Sequence, residues 1–202
     1  MTGGRDDLDD VIGRLVIEGS RTAAHAEVVA VASRDAARAR AFADELGLEA
    51  SFGSYEELLA SGVKIDRIGG CSMGAFHAVN MGLKRPDLFP VAIGLSGNYD
   101  PTSWHGWGEM GEATYFANPC AYVPGMGGDH LQWVRAHANI LLVVGQGAFE
   151  VHPTKSLPGA HQLADLLAQK NIPHELDLWG HDSAHDWPWW RKQLAHHLPR
   201  FC

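Results

Sequence analysis

Residues 64–84, KIDRIGGCSMGAFHAVNMGLK, constrain this chain more tightly than any other stretch. The run KIDRIGG reads as a strand and leads straight into Gly70-Cys71-Ser72-Met73-Gly74. A helical stretch follows at once and is ended by Pro86. This is G-x-S-x-G in the strand–turn–helix setting of a nucleophile elbow. Such a turn holds the serine in a strained conformation. Small residues two before and two after it let the strand and helix backbones approach. The helix N-terminus favours negative charge near Ser72, and the Met73 N–H is a candidate oxyanion donor. The five-residue pattern is short and arises often by chance, so the rest of the chain must supply its partners.

The flanking pattern implies an α/β fold. Residues 26–33, AEVVAVAS, form an apolar, β-branched run that reads as a buried parallel strand. Asp35 caps a helix over 36–47 that ends in Gly47, and Ser54 with Glu57 forms a capping box for a helix over 54–60. Residues 11–24 read as a further helix, weakened by Gly13 and Gly19. Strands are expected at 64–69, 90–96, 139–145 and 174–179, and helices at 73–84, 130–137, 156–170 and 188–198. Strands alternating with helices give a three-layer arrangement: a mostly parallel sheet with helices on both faces. Residues 97–129 show no clear period and are rich in Gly, Pro and aromatics, as binding lids often are.

Composition narrows the function classes. A length of 202 residues suits one domain with a sizeable core or two very small ones. The net charge of −8, with no offsetting Lys/Arg run, disfavours nucleic acid and anionic membrane as partners. The acidic opening, residues 1–10, reads as a tail without the apolar core of a signal peptide. Cys71, Cys120 and Cys202 are odd in number and widely spaced, which argues against a disulfide framework and makes a reducing cytoplasm the expected location. Many of the 12 His and 7 Trp fall after residue 100, where aromatic loops suit an apolar substrate pocket or simply fill core space.

A serine nucleophile needs an imidazole to take its proton and a carboxylate to orient that imidazole. With this elbow the chain order is serine, acid, histidine, each on a loop after a strand. The strand NILLVVG (139–145) is followed by QGAFEVH, which places Glu150 in the acid position. HELDLWG (174–180) is followed by HDSAHDW, which places His185 or His181 in the base position. Asp182 and Asp186 are reserve candidates for the acid, although they share the histidine's own loop. His181 and His185, four apart, would suit a metal only on a helix, whereas HDSAHD reads as a loop. Cys71 reads as a small hydrophobe beside the turn.

The motifs GGCSMGAFHA, AIGLSGNYD, YFANPCAYVP, ILLVVGQGAFE and HDWPWWRKQL together make residues from about 66 to the C-terminus resemble the C-terminal half of an esterase D-like α/β-hydrolase. The resemblance implies Ser72 as nucleophile, Glu150 as acid, His185 as base and His181 as a pocket or surface residue. It implies a serine esterase acting on small carboxylic esters without a cofactor.

The first third does not resemble that family. AEVVAVASRDAARARAFADELGLEASFGSYEELLAS is similar to the dinucleotide-binding domain of the glucose–fructose oxidoreductase and inositol dehydrogenase family. In that family a turn like Ser33-Arg34-Asp35 meets the cofactor's adenosine ribose or its phosphate. The glycine turn that would seat the pyrophosphate is not seen before it. Residues 11–65 therefore read as a Rossmann-like fragment that binds no NAD(P), joined to a hydrolase-like part in a hybrid chain. Strand 26–33 is expected to extend the hydrolase sheet into one continuous sheet, with the amide of Ser33 or Arg34 as second oxyanion donor. An unpaired sheet edge makes a homodimer possible. The alternatives are a catalytically silent hybrid scaffold and a degenerate dinucleotide-binding module.

Overall fold

The computed structural model describes residues 28–62, 66–104, 109 and 111–201. The helix expected at 11–24 and the acidic tail lie outside these residues. The chain divides into two compact units, Ile65–Asp186 and the combination of Met1–Lys64 with Trp187–Cys202.

Within Met1–Lys64, β1 (Ala30–Ala32) pairs in parallel with β2 (Ala50–Phe52) across helix α1 (Ala36–Leu46). Local chemistry sets the bounds of α1. The Asp35 carboxylate accepts the Arg38 N–H at its start. Gly47, at φ 67, turns left-handed at its end and donates its N–H to the Ala43 carbonyl. Helix α2 (Tyr55–Ala60) follows, with Ser54 Oγ accepting the Glu57 N–H. Glu57 closes this start by accepting the Gly53 N–H at 2.8 Å, one residue before the position a strict capping box uses.

The unit Ile65–Asp186 holds a four-stranded parallel sheet in sequential order: β3 (Arg67–Cys71), β4 (Val91–Leu95), β5 (Asn139–Val144) and β6 (His174–Leu178). Between them run α3 (Met73–Lys84), α4 (Glu112–Ala117), α5 (Pro119–Gly125), α6 (Gly128–His137), α7 (Ala148–Val151) and α8 (Ser156–Gln169). Strand β5 is central, and its residues 140–144 are buried on both faces, as a near-continuous apolar run requires. Ile140, Leu142 and Val144 join Val79 and Leu83 of α3 and Leu163 and Leu167 of α8 in one core. The last helix, α9 (Trp187–His197), belongs to the other unit and buries Trp190, Gln193 and His197. All ladders are parallel and helices lie on both faces, which is the expected α/β class.

Two features differ from expectation. The described strands form two ladders rather than one continuous sheet, because β1 takes its partner from β2 just past α1. A strand of three residues carries too little periodicity to be read from sequence. The irregular stretch 97–129 contains α4, α5 and a 3-10 turn at Pro101–Ser103, each too short to display a 3.6-residue period. Among the described residues no helix is long and apolar enough to cross a membrane.

Candidate active site

Four loops leave the C-terminal ends of β3, β4, β5 and β6, the edge at which parallel α/β sheets build their sites. The first residue past β3 is Ser72, with φ 54 and ψ −118. A non-glycine residue there stores about 1–3 kcal/mol of strain, which the surroundings must hold in place. Three hydrogen bonds of its own backbone do so. The Ser72 N–H donates to the Leu95 carbonyl at 2.8 Å, and the Ser72 carbonyl accepts from Ala75 and Phe76. Gly70 makes the reversal possible: a Cβ there would lie 2.4 Å from the Gly74 carbonyl group. Gly74 itself faces open space, so only the first of the two motif glycines is sterically required.

His185 meets this serine directly, and Glu150 meets His185. His185 Nε2 lies 2.9 Å from Ser72 Oγ, and His185 Nδ1 lies 2.9 Å from Glu150 Oε2. An ionised carboxylate only accepts, so Nδ1 carries the ring proton and Nε2 is left to accept from the serine hydroxyl. Glu150 is fully buried and His185 nearly so, with a side chain 10% exposed. A buried carboxylate needs partners on both oxygens. The second oxygen, Oε1, accepts the Ser96 hydroxyl at 2.5 Å. Ser96 is the first residue past β4, is itself fully buried, and was not singled out by sequence reasoning. The only sequence signal near it is the AIGLSGNYD motif that contains it.

The acid and base loops are stitched together. The Gln146 N–H donates to the Gly180 carbonyl, the Gln146 side-chain amide to the Trp179 carbonyl, and the Gly147 N–H to the Ser183 carbonyl. Phe149, half exposed next to Glu150 in the chain, sets its ring 6.1 Å from that of His185 and gives the site an apolar rim.

The remaining candidates fall as follows. Met73 begins α3, where its N–H has no intrahelical acceptor, and its side chain is 60% exposed. Arg34 lies in the other unit, in the turn from β1 into α1, where the neighbouring Ser33 N–H is engaged by the Phe52 carbonyl. His181, Asp182 and Asp186 are exposed on a loop, and the carboxylate that meets His185 Nδ1 is that of Glu150. His185 has both ring nitrogens committed to Glu150 and Ser72, which leaves none for a metal shared with His181. Burial pushes the Cys71 thiol up to about 12, so beside the serine it stays a neutral, poorly nucleophilic group. A cavity of about 300 Å³ bordered by Leu83, Tyr115, Tyr122 and Met126 lies at the far end of α3 from Ser72.

Residues 48–201, well over half of the chain, match the Esterase family, described as Putative esterase. The chain belongs to this family. Solved structures of similar fold include a ferulic acid esterase, 19% identical, covering 73% of this chain and 60% of that one with a TM-score of 0.50. Another is an S-formylglutathione hydrolase from Agrobacterium tumefaciens, 17% identical, covering 71% and 52% with a TM-score of 0.56. The family member described here thus spans little more than half the length of these structures. A 34-residue stretch is 65% identical to D-xylose 1-dehydrogenase (NADP(+)) 2 of Haloferax volcanii, covering 17% of this chain and 10% of that enzyme.

Proposed function

We propose that this chain is a serine hydrolase that cleaves small carboxylic esters through Ser72, His185 and Glu150. The observation that carries the reading is the unbroken relay from Ser72 Oγ through both His185 nitrogens to a buried carboxylate. Family membership points the same way.

In this reading Ser72 Oγ attacks the ester carbonyl carbon as His185 Nε2 takes its proton. Glu150 holds the ring in the tautomer that leaves Nε2 free to accept, and stabilises the imidazolium that forms. The carbonyl oxygen becomes an oxyanion facing the Met73 N–H at the N-terminus of α3. Collapse of this intermediate breaks the bond to the alcohol oxygen, which leaves with the proton held at Nε2. Water then attacks the acyl-serine by the same route, giving the carboxylic acid and restoring the Ser72 hydroxyl. Phe149 and Met73 present apolar surface at the entrance, which suits an ester with an apolar group on one side.

The test is hydrolysis of a short-chain chromogenic ester together with labelling by a fluorophosphonate probe. Wild type should turn over the ester and take the label, and Ser72→Ala should do neither. Turnover that survives Ser72→Ala would remove the proposal.

A further inference from the structure

We propose that Ser96 is a positioning residue for the acid: its hydroxyl fixes Glu150 so that the other carboxylate oxygen faces His185 Nδ1. The inference rests on Glu150 acting as the acid. It goes beyond that reading by assigning a role to a residue outside the relay.

The placement of Ser96 supports this. Cys71 and Leu95 are register partners in the β3–β4 ladder, so Ser72 and Ser96 are the next residues past the same rung of neighbouring strands. Both leave the sheet with positive φ, 54 for Ser72 and 55 for Ser96. Both send their N–H to the next strand over, Ser72 to the Leu95 carbonyl and Ser96 to the Val143 carbonyl at 2.7 Å. At Ser72 the strained turn presents a hydroxyl to His185. At Ser96 the same turn presents a hydroxyl to Glu150. Strain at a fully buried, non-glycine residue calls for a compensating contact, and the 2.5 Å bond to Glu150 Oε1 is that contact.

The length of the acid explains why an anchor is needed. A glutamate has one more side-chain torsion than an aspartate, and α7, which carries it, is only four residues long. A bond at Oε2 alone leaves the carboxylate free to rotate about its last torsion, which is broad and soft. Ser96 holds Oε1 from β4 while His185 meets Oε2 from the loop after β6. The carboxyl plane is thereby set by two different strands.

Ser96→Gly isolates the hydroxyl, because glycine adopts φ near 55 without cost. Two readouts are needed: ester turnover, and the ring-nitrogen resonances of His185 in 15N-histidine-labelled protein at a pH where the ring is neutral. Wild type should show the Nδ1–H tautomer. Ser96→Gly should show a mixture of tautomers, with kcat lowered about 10- to 100-fold and KM within about twofold. Ser96→Cys, similar in size but a weaker donor, should fall between the two and carries the same readouts if the glycine variant does not fold. Retention of the pure Nδ1–H tautomer in the variant overturns the inference, even if kcat falls, because only packing has then been lost. If wild type shows no Ser72-dependent turnover, the esterase reading fails while the tautomer comparison still decides the role of Ser96.

Discussion

The Gly147 N–H donates to the Ser183 carbonyl at 3.1 Å, and a Cβ on Gly147 would stand 2.5 Å from that same oxygen. The loop bearing Glu150 and the loop bearing His185 therefore touch backbone to backbone, with no room for a side chain between them. Gly147→Ala must push Ser183 outward, and His185 lies only two residues further along. A displacement of about 1 Å at a reacting group costs on the order of 100-fold in rate. The expected outcome is kcat down by about that factor with the circular dichroism spectrum unchanged. Wild-type kcat in a folded Gly147→Ala protein would show that the two loops move independently.

The two glycines of the elbow should respond differently. Gly70→Ala places a Cβ 2.4 Å from the Gly74 backbone, a clash that no rotamer relieves. It should cost about 3 kcal/mol or more, or prevent folding. Gly74→Ala meets nothing within 4 Å and sits in the first turn of α3. Its stability should match wild type or exceed it by up to about 1 kcal/mol. Urea unfolding of both variants checks this, and equal losses would refute the asymmetry.

Glu150→Gln keeps the shape of the side chain but offers an amide where His185 Nδ1–H needs an acceptor. Rotating the amide to present its oxygen to Nδ1 would turn its NH2 group toward the Ser96 hydroxyl. The reverse orientation favours the wrong histidine tautomer. In a serine protease triad the equivalent acid-to-amide change lowers kcat about 10,000-fold. A loss of about 1,000-fold or more is expected here, with the fluorophosphonate label slowed in parallel. A variant within tenfold of wild type would show that the carboxylate is not needed.

The parts legible in the sequence were those written locally. The elbow is a five-residue pattern, and α1 and α3 each span at least three turns with clear ends. Strands β4 and β5 are apolar runs bounded by turn residues, whereas β3 (RIGGC) and β6 (HELDL) mix charged and apolar residues. The serine–acid–histidine order followed from these, since each partner falls just past a strand end. Ser96 was not legible because its partner lies 54 positions away and no spacing rule links them. Strand β2 escaped notice because its three residues ASF become a strand only by pairing with β1. Helices α4 and α5 were hidden by their length and by Pro119 and Pro124 within seven residues of α5.

Asn118 holds the segment between the 3-10 turn and α5. Its side-chain oxygen caps α5 by accepting from Cys120 and Ala121, while its amide donates to Asp100 at 3.0 Å. Burial pushes the Asp100 carboxyl up, but hydrogen bonds from Thr102 and Asn118 outweigh it and hold the group below its ordinary value of 3.8. With the folded value depressed, the stability this group contributes is present above 3.8 and lost as pH falls below it. Asn118→Ala should cost about 1–2 kcal/mol at neutral pH through the lost cap. A double-mutant cycle with Asp100→Ala should show coupling at pH 7 that fades in acid. Strict additivity at pH 7 would disprove the link.

The partly buried thiols of Cys71 and Cys120 predict an alkaline limit to stability. Burial raises Cys71 from 9.0 to about 12, and burial followed by the nearby Asp100 charge raises Cys120 to about 12 as well. In the unfolded chain both thiols lose their protons near 9, whereas in the folded chain they keep them. Unfolding above pH 9 therefore releases protons, and stability must fall as pH rises from about 9 toward 12. Each thiol contributes a slope of at most about 1.4 kcal/mol per pH unit in that window and nothing below it. Burial also pushes Tyr99 and Tyr122 up, so their phenols steepen the fall above pH 10. Urea midpoints should be level from pH 7 to 8.5 and then decline. Cys71→Ala with Cys120→Ala should flatten the first part of the decline while leaving the tyrosine part in place. A decline of equal slope in that double variant between pH 9 and 10 would show that the thiols are not its source.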